Sequence, residues 1–375
     1  MGSGRITKDD LPTPALLVDL DALEGNVAAM AAHCRREGCD LRPHAKTHKC
    51  PEVARMQVAA GARGVSTATV AEAEAMVAAG LPGVLLTSPI VDRGKVARMV
   101  ALARGGAEVL LAVGHARQVE LLADAAEAAG VVVDVMVDLD VGDGRFGTEP
   151  GPRALDLARL MAARRSLRVR GVQAYFGAAA HVAGFEARRS TSAEALSLAV
   201  DTFEALRRAG IGVEFLSCGS TGTYNIDCRL PVPVELQSGS YVFMDGEYRA
   251  IGGRDSAAYD DFRRSLTVLA TVVSATHDDQ VTVDAGVKSF SCDTPFRPEP
   301  KDRPGLDYEF RGDEFGRLTA RPGVELPRIG DRVEFYVPHC DPTVNLYDRI
   351  HATRGDAVEA VWEIRARKES APTGR

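Results

Sequence analysis

Short apolar runs alternate with alanine-rich amphipathic stretches along the first 250 residues of the chain. Because alternating strand and helix patterns are typical of β/α units, this region predicts a parallel sheet flanked by helices. The predicted strands are Ala15–Val18, Gly64–Thr67, Val84–Thr87, Glu108–Val113, Val131–Val137, Val169–Ala174 and Val213–Leu216. The predicted helices are Glu24–Glu37, Val70–Ala79, Ala116–Ala129, Pro152–Arg164 and Ser192–Ala209.

The length of this alternating region favours one kind of parallel sheet over another. Roughly eight β/α units fit into it, which favours a closed (β/α)8 barrel over an open doubly wound sheet. No Gly-x-Gly-x-x-Gly motif follows the first strand, which also speaks against a dinucleotide-binding fold. Gly80, Gly130 and Gly210 stand just before predicted strands, where glycine is expected to end a helix.

The pattern changes near residue 260. Four later segments are rich in β-forming residues with alternating polarity, and proline and glycine crowd the links between them. They are Arg264–Ala275, Gln280–Ala285, Asp331–Val337 and Ala357–Arg365. This texture predicts a second, mostly antiparallel β domain. We therefore predict a barrel domain over residues 15–259 and a β domain over residues 260–375, which residues 1–14 join.

Composition narrows the class of protein. The 375-residue chain has 52 acidic and 45 basic side chains and a net charge of −7, which argues against nucleic acid or a membrane surface as its main partner. No apolar stretch is long enough to span a membrane, and residues 1–10 lack the apolar core of an export signal. The seven cysteines show no Cys-x-x-Cys spacing, so they are expected to be reduced thiols of a cytoplasmic protein.

The densest group of reactive side chains is Leu41–Lys49, with the sequence LRPHAKTHK. It follows the first helix, at the expected carboxyl end of a barrel strand, where barrels carry their catalytic groups. The surrounding positive charge would lower the pKa of Lys46 and make its amine nucleophilic toward a carbonyl. A solvated basic loop is the alternative interpretation, and the segment alone does not exclude it.

Two later segments are rich in glycine and hydroxyl side chains. Ser217–Thr223 reads SCGSTGT, and Gln237–Tyr241 reads QSGSY. Small residues let backbone amides approach an anion, so these segments predict a phosphate-binding cradle at the end of late barrel strands. An ordinary Gly/Ser turn is the alternative.

A possible metal site lies in the β domain, where Val337–Asn345 reads VPHCDPTVN. In an extended segment, residues i and i+2 point the same way, so His339 and Asp341 would meet one metal ion while Cys340 points elsewhere. An imidazole and a carboxylate suit Mn²⁺, Mg²⁺ or Zn²⁺. A surface turn is the alternative. Two single residues are weighed in the same way: Arg145 would clamp an anion or pair with a nearby aspartate, and a lone histidine such as His181 is more often structural than catalytic.

Taken in order, the segments RPHAKTHK, SCGSTGTY, LQSGSYVFMD, YDDF and PHCDPTVNLYD resemble a known family. The chain is similar, from Leu11 to Arg365, to the D-threonine aldolase, 3-hydroxy-D-aspartate aldolase and D-serine dehydratase group. These are fold-type III pyridoxal-phosphate enzymes related to alanine racemase, and the likeness to the aldolase branch is the closer one. The first and last segments are specific to the family, whereas the glycine-rich segments are not.

The resemblance implies roles for individual residues. Lys46 would bind pyridoxal 5'-phosphate covalently, Arg145 would hydrogen-bond the phenolic oxygen of the cofactor, and Tyr175 would lie beside its ring. The phosphate would be held by Gly219, Ser220, Thr221, Gly222, Thr223, Gly239, Ser240 and Tyr241. Gln237 takes the position at which alanine racemase has an arginine near the ring nitrogen. His339 and Asp341 would hold the divalent metal, and Asp341 in place of a cysteine favours the aldolase branch over the dehydratase branch.

The implied activity is cleavage of a D-3-hydroxy-α-amino acid to glycine and an aldehyde by a homodimer. The metal would lower the pKa of the substrate's β-hydroxyl, and His181 would accept its proton. A D-serine or D-3-hydroxyaspartate dehydratase is the first alternative, and a non-catalytic cofactor-binding protein of the same fold is the second. The segment Tyr175–His181, YFGAAAH, is more apolar than its counterparts in related aldolases, and the loop Pro295–Gly305 departs from their pattern. Both features leave the native substrate open.

Overall fold

The computed structural model describes residues 6–368 of the chain. Residues 1–5 and 369–375, which the domain prediction placed with the β domain, lie outside the described range. The chain divides into two compact units. The first, here called the barrel unit, consists of Met30–Gly239, and the second, the β unit, contains residues 6–29 and Ser240–Arg365.

Parallel strands form the barrel unit, as the alternating pattern predicts. Eight of them are found within the described residues, in the hydrogen-bonded order β2-β9-β8-β7-β6-β5-β4-β3. Strand β1 (Ala15–Asp19) belongs to the β unit. The barrel strands are β2 (Asp40–Leu41), β3 (Val65–Thr67), β4 (Val84–Leu86), β5 (Val109–Val113), β6 (Val133–Leu139), β7 (Leu167–Ala174), β8 (Phe215–Cys218) and β9 (Val234–Leu236).

Residues 40–44 close this sheet into a barrel because they hydrogen-bond on both sides. On one side, the amide of Arg42 donates to the carbonyl of Leu236 over 2.8 Å. On the other side, the amide of Ser66 donates to the carbonyl of Pro43 over 2.9 Å. The prediction of a (β/α)8 barrel is therefore confirmed. Apolar side chains from neighbouring strands, such as Leu85 and Met136, pack together in its core.

Helices connect the barrel strands, and their apolar faces are buried. The helices are α1 (Leu20–Glu37), α2 (Pro51–Ala59), α3 (Val70–Ala78), α4 (Arg93–Arg104), α5 (Ala116–Ala129), α6 (Pro152–Ala162), α7 (Gly177–Ala180), α8 (Phe185–Arg208) and α9 (Tyr224–Asp227). Helix α5 shows the expected glycine stop, since Gly130 follows it in the left-handed conformation with φ 68°. None of the described helices combines the length and the hydropathy of a membrane-spanning segment.

The β unit is built around a mostly antiparallel sheet in the order β13-β14-β11-β10-β1-β16-β17, with β15 paired to both β10 and β12. This confirms the predicted class of the second domain. Its strands after β1 are β10 (Leu266–Ser274), β11 (Gln280–Val283), β12 (Glu299–Pro300), β13 (Leu306–Phe310), β14 (Gly316–Ala320), β15 (Arg332–Tyr336), β16 (Arg349–Arg354) and β17 (Ala357–Glu363). Two short helices complete it, α10 (Gly246–Ala250) and α11 (Cys340–Val344).

Strand β1 corrects the sequence prediction. Ala15–Val18 was assigned to the barrel series, yet this strand pairs antiparallel with β10 and parallel with β16 in the β unit. A short buried strand has the same apolar pattern in either sheet, so only its partners distinguish the two. The compact units accordingly divide near residues 29 and 239 rather than at residues 15 and 259. Part of the loop Pro295–Gly305 is also strand, since β12 pairs with β15.

Candidate active site

Lys46 lies at the carboxyl end of the first barrel strand, as the prediction requires. A single 3-10 turn, Ala45–Thr47, follows β2 and carries it, and the Nδ1 atom of His44 accepts a hydrogen bond from the Lys46 amide over 3.3 Å. The Nε2 atom of His44 in turn lies 3.2 Å from Thr87 Oγ1, which follows β4. The loop that presents Lys46 is thereby connected to the residue after strand β4.

Lys49, the other lysine of the segment Leu41–Lys49, is held in an ion pair within the protein. Its Nζ atom forms an ion pair with Glu72 Oε1 at 3.4 Å, and both side chains are largely buried. A buried carboxylate that loses its partner is costly, so this lysine is poorly suited to covalent chemistry. The contact favours Lys46 as the nucleophile of the segment.

The hydroxyl-rich loop after β8 is buried and internally ordered. Ser220, Thr221 and Thr223 are all less than 7% exposed. The Ser220 amide donates to Thr223 Oγ1 over 3.0 Å, and Ser238 Oγ donates to the Ser220 carbonyl over 2.8 Å. The two segments that were predicted to form one cradle, Ser217–Thr223 and the start of Gln237–Tyr241, are therefore joined by a direct hydrogen bond.

Arg188 stabilises this loop through a hydrogen bond to Gly222. This residue was not predicted from the sequence. The side chain is fully buried, its Nε atom donates to the carbonyl of Gly222 over 2.8 Å, and its Nη1 atom donates to the carbonyl of Val182 over 2.9 Å. Arg188 lies in the first turns of α8, 34 residues before Gly222. Only its position on the buried face of that helix could have drawn attention to it, because arginine is rarely buried without a specific role.

Gly239 brings the Gln237–Gly239 segment against the Lys46 loop. A Cβ atom at this position would lie 2.8 Å from the carbonyl oxygen of His44 and 2.8 Å from Thr47 Oγ1, so only glycine fits. The Oγ1 atom of Thr47 is buried and has no hydrogen-bond partner among residues 6–368. A polar atom of this kind, beside Lys46, is suited to meeting a ligand.

A buried carboxylate stands near the carboxyl end of strand β6. Asp138 is 2% exposed, its Oδ1 atom accepts a hydrogen bond from Gln173 Nε2 over 2.8 Å, and its Oδ2 atom has no partner within the described residues. Burial raises the pKa of Asp138 to about 7, although the hydrogen bond from Gln173 and the charge of Arg145 lower it. A strongly perturbed carboxyl group at a strand end is typical of a functional site.

Arg145 and Tyr175, two residues that the resemblance assigns to the cofactor, lie side by side. The guanidinium carbon of Arg145 is 5.4 Å from the centre of the Tyr175 ring. No ion pair of Arg145 with Asp140 or Asp143 occurs within residues 6–368, because the carboxylates of those residues accept backbone amides instead. His181 caps the end of α7 and is exposed.

The predicted metal ligands, His339 and Asp341, lie in the β unit. The prediction that both lie in one extended segment is wrong. His339 is followed by a helix, Cys340–Val344, rather than by an extended segment, so His339 and Asp341 are not related as i and i+2 on a strand. The helix forms because the carbonyl of His339 accepts a hydrogen bond from Thr343 Oγ1 and Asp341 opens its first turn. Within the described residues, no three His, Cys, Asp or Glu side chains are grouped as a complete metal site.

One ring nitrogen of His339 lies beside two carboxylate side chains. The Nδ1 atom lies 2.8 Å from Asp293 Oδ2 and 3.8 Å from Glu247 Oε2, two residues that sequence reasoning missed. Burial lowers the pKa of His339, but Asp341, Asp245 and Asp293 outweigh it, and the net shift is upward. A carboxylate on Nδ1 leaves Nε2 available to a metal, which is the usual arrangement around metal-binding histidines.

Ser240 and Tyr241 follow the barrel unit in the chain and belong to the β unit. Both are buried in a short 3-10 turn, Ser240–Val242, and the Tyr241 ring packs against Phe262 at 5.4 Å. Their predicted contact with a phosphate stays a prediction.

Comparison with known proteins identifies the barrel. A model of the N-terminal domain of alanine racemase matches residues 18–236, more than half of the chain. The chain belongs to the alanine racemase-like family. A second model, named for a serine dehydratase domain, matches residues 265–353. The family predicted from the five sequence segments, a group of pyridoxal-phosphate enzymes, is therefore confirmed.

Within this alanine racemase-like family, relatives that match nearly the whole chain are named as aldolases or as a dehydratase. The chain is 38% identical to a D-threonine aldolase of an Arthrobacter species, with 95% of this chain and 92% of that protein covered. It is 33% identical to a 3-hydroxy-D-aspartate aldolase of Paracoccus denitrificans (96% and 93% covered) and 33% identical to a D-threo-3-hydroxyaspartate dehydratase of a Delftia species (94% and 97% covered). The relative at 38% identity and one of these two relatives at 33% identity are thus aldolases.

Solved structures of an aldolase and a dehydratase superpose on nearly the whole chain. A crystal structure of a D-threonine aldolase from Filomicrobium marinum superposes with a TM-score of 0.92 at 38% identity, and the match covers 98% of each chain. A D-threo-3-hydroxyaspartate dehydratase variant, described as being in the metal-free form, superposes with a TM-score of 0.86 at 28% identity, covering 96% of this chain and 99% of that one.

The barrel unit of this family member fits pyridoxal phosphate. Buried hydroxyls, a close-packed Gly239 and a lysine follow the ends of the adjacent strands β8, β9 and β2, and two buried oxygens, Thr47 Oγ1 and Asp138 Oδ2, have no partner within residues 6–368. These groups supply what a phosphorylated aromatic aldehyde needs, namely an amine, hydrogen-bond donors for a phosphate and polar partners for a ring.

Proposed function

We propose that this chain cleaves D-3-hydroxy-α-amino acids, of the D-threonine, D-3-hydroxyaspartate or D-phenylserine type, to glycine and an aldehyde. Its aldolase relatives, which match nearly its whole length, support this activity. The single observation that carries the cofactor assignment is the packing of Gly239 against His44 and Thr47. This contact brings the hydroxyl-rich segments to the loop that presents Lys46.

The residues of the barrel unit would divide the work of binding the cofactor. Lys46 Nζ would bond covalently to its aldehyde carbon, since Lys49 is held by Glu72. The hydroxyls of Ser220, Thr221 and Thr223 would hold the phosphate, and Arg188 would keep their loop in place through Gly222. Arg145 and Tyr175, which already stack on each other, would border the ring.

Cleavage requires that one proton leaves the substrate and another returns. When bound, pyridoxal phosphate supplies a conjugated ring that accepts the electron pair of the breaking Cα–Cβ bond. His181 would accept the proton of the β-hydroxyl, so that the Cβ–oxygen bond becomes the carbonyl of the departing aldehyde. A proton then returns to Cα and glycine is released. His181 is exposed in a short turn, where it can exchange that proton with water.

We also propose that His339 and Asp341 hold a divalent ion, Mn²⁺, Mg²⁺ or Zn²⁺. The contact of His339 Nδ1 with Asp293 supports this assignment, because it directs the other ring nitrogen to a ligand. Such an ion lowers the pKa of a bound hydroxyl. By likeness to the family we propose a cytoplasmic homodimer, which sedimentation of the purified protein tests.

The experiment combines cofactor mapping with product analysis. Borohydride reduction of the purified protein should attach the cofactor to Lys46, and the Lys46→Ala variant should lose both the label and turnover. Lys288→Ala, which removes an exposed lysine of the β unit, is the matched control and should retain both. Attachment of the label to Lys49 would contradict the assignment.

Products distinguish the aldolase from a dehydratase, which the Delftia relative makes the second candidate. D-Threonine, D-phenylserine and D-3-hydroxyaspartate should each be assayed for glycine and for a keto acid, with and without chelator. We expect glycine and an aldehyde, lost on chelation and restored by Mn²⁺. Release of a keto acid without glycine would instead establish the dehydratase.

A further inference from the structure

A chain of buried polar side chains links the ends of several barrel strands. Register places Asp138, Gln173, Ser217 and Glu235 opposite one another on four consecutive strands. Gln237 follows Glu235 by two residues and therefore faces the same side. All five side chains are less than 5% exposed. Hydrogen bonds run through the whole set, so the orientation of each amide group depends on its neighbours.

At one end of this series of side chains, a backbone carbonyl fixes the orientation of Gln173. Gln173 Nε2 donates to the carbonyl of Thr87 over 2.9 Å and to Asp138 Oδ1 over 2.8 Å. A carbonyl can only accept, so the amide nitrogen of Gln173 must face Thr87 and its Oε1 atom must face the other way. Both of its N–H groups are used, and Oε1 is left as an acceptor for the next residue.

At the other end of the series, Glu235 forms an ion pair with Arg42. The Nε and Nη2 atoms of Arg42 donate to the two carboxylate oxygens over 2.9 and 2.8 Å. Ser217 Oγ donates its single proton to Glu235 Oε1 over 2.9 Å. The hydroxyl can then only accept from its remaining neighbour.

Gln237 lies between these two acceptors. Its Nε2 atom donates to Ser217 Oγ over 2.9 Å and to Gln173 Oε1 over 3.2 Å, which uses both N–H groups. Its Oε1 atom accepts no hydrogen bond within residues 6–368. The side chain is 4% exposed. Its neighbours in the chain are Ser238, which donates to the carbonyl of Ser220, and Gly239, which packs against His44 and Thr47.

We propose that Gln237 is a positioning residue that presents a carbonyl oxygen, not an amide, to the cofactor and thereby holds a proton on its ring nitrogen. The inference rests on the proposed function, because it requires pyridoxal phosphate on Lys46. Bound pyridoxal phosphate would have two nitrogen atoms, the Nζ atom contributed by Lys46 and the nitrogen of its ring. The ring nitrogen is the one that a further side chain would contact. An acceptor stabilises the protonated form of the nitrogen it faces, whereas a donor would stabilise the neutral form.

Nitrogen-15 NMR of the protein loaded with ring-labelled pyridoxal phosphate tests the proposal directly, because protonation changes the chemical shift of a pyridine nitrogen strongly. The wild-type signal should be that of a protonated ring. Gln237→Leu removes the acceptor and should lower the proton affinity of the ring nitrogen about tenfold, and Gln237→Glu should raise it.

Gln173→Met tests whether the hydrogen bonds between these side chains set the orientation of the Gln237 amide. It leaves Gln237 in place but removes one of the two acceptors of its amide, with Ser217 Oγ as the other. The proton affinity should therefore fall, but by less than in Gln237→Leu. Gln280→Leu, a glutamine of the β unit, is the control and should leave the signal unchanged.

The outcomes separate the two proposals. If the cofactor does not attach to Lys46, the proposed function itself fails. If it attaches but the wild-type ring is unprotonated, or if Gln237→Leu raises the proton affinity, the function stands and the inference is overturned. Should the leucine variant not fold, the wild-type signal alone decides.

Discussion

The carbonyl oxygen of His44 lies where a Cβ atom at Gly239 would come within 2.8 Å of it. Because His44 begins the turn that carries Lys46, this contact couples the last segment of the barrel unit to its first strand end. Gly239→Ala should therefore push the two loops apart.

We expect Gly239→Ala to destabilise the folded state by about 1–3 kcal/mol and to weaken cofactor binding. Titration of the apoprotein with pyridoxal phosphate and urea unfolding measure the two effects. Gly25→Ala is the matched control: a Cβ atom there meets nothing within 4 Å, and alanine is favoured in a helix. Equal behaviour of the two variants would contradict the role of the contact.

Arg188→Met should weaken cofactor binding without removing Lys46. The substitution deletes the hydrogen bonds to the carbonyls of Gly222 and Val182, and a charged hydrogen bond contributes about 1.5–3 kcal/mol. We expect the dissociation constant of pyridoxal phosphate to rise by about tenfold or more. The adjacent Arg189→Met removes only an exposed pair with Glu186 and should change little. Unaltered affinity in Arg188→Met would show that the loop does not need this support.

Asp138 should make the stability of the protein depend on pH. Its pKa is raised by burial from an ordinary 3.8 to about 7, so the folded protein binds this proton more tightly than the unfolded chain. The stabilisation is complete below the ordinary pKa and is lost as the pH rises through 7. Relative to Asp138→Asn, the wild type should lose about 2–4 kcal/mol between acidic and mildly alkaline conditions. Urea unfolding across this range measures the difference, and parallel curves for the two proteins would refute it.

Asp293→Asn should weaken metal binding. The carboxylate holds His339 Nδ1 at 2.8 Å, and loss of such a partner typically costs about 10–100-fold in metal affinity. Mn²⁺ binding should be measured by calorimetry on the loaded enzyme, alongside His339→Ala, which should abolish it. Asp313→Asn removes an exposed carboxylate that pairs with Lys288 and serves as the control. Full affinity in Asp293→Asn would exclude it as the partner of a metal-bound histidine.

Sequence reasoning was most successful for the barrel, and the reason is local. The helix Ala116–Ala129 was predicted with the bounds that it has in the structure, because its apolar period and the following Gly130 are both readable within one segment. The family was likewise readable, since RPHAKTHK and HCDPTVNLYD are contiguous motifs. Each of these features depends on residues that are neighbours in the chain.

The features that failed or were missed depend on partners far away in the chain. Strand β1 belongs to the β unit because residues near 269 and 351 pair with it, and no pattern within Ala15–Asp19 records that choice. His339 was assigned to an extended segment, yet Thr343 and the buried Asp245 Oδ2, which accepts the Cys340 amide over 2.9 Å, hold the next residues as a helix.

By itself, then, the sequence determined the alternation of strands and helices in the barrel, the barrel class, the family and the segment that contains Lys46. Only the tertiary structure decided which side chains meet: Arg188 with Gly222, Asp293 with His339, and Gln173 with the amide nitrogen of Gln237. The physical reason is that a hydrogen bond depends on positions within about 3 Å, whereas these partners stand 34, 46 and 64 residues apart.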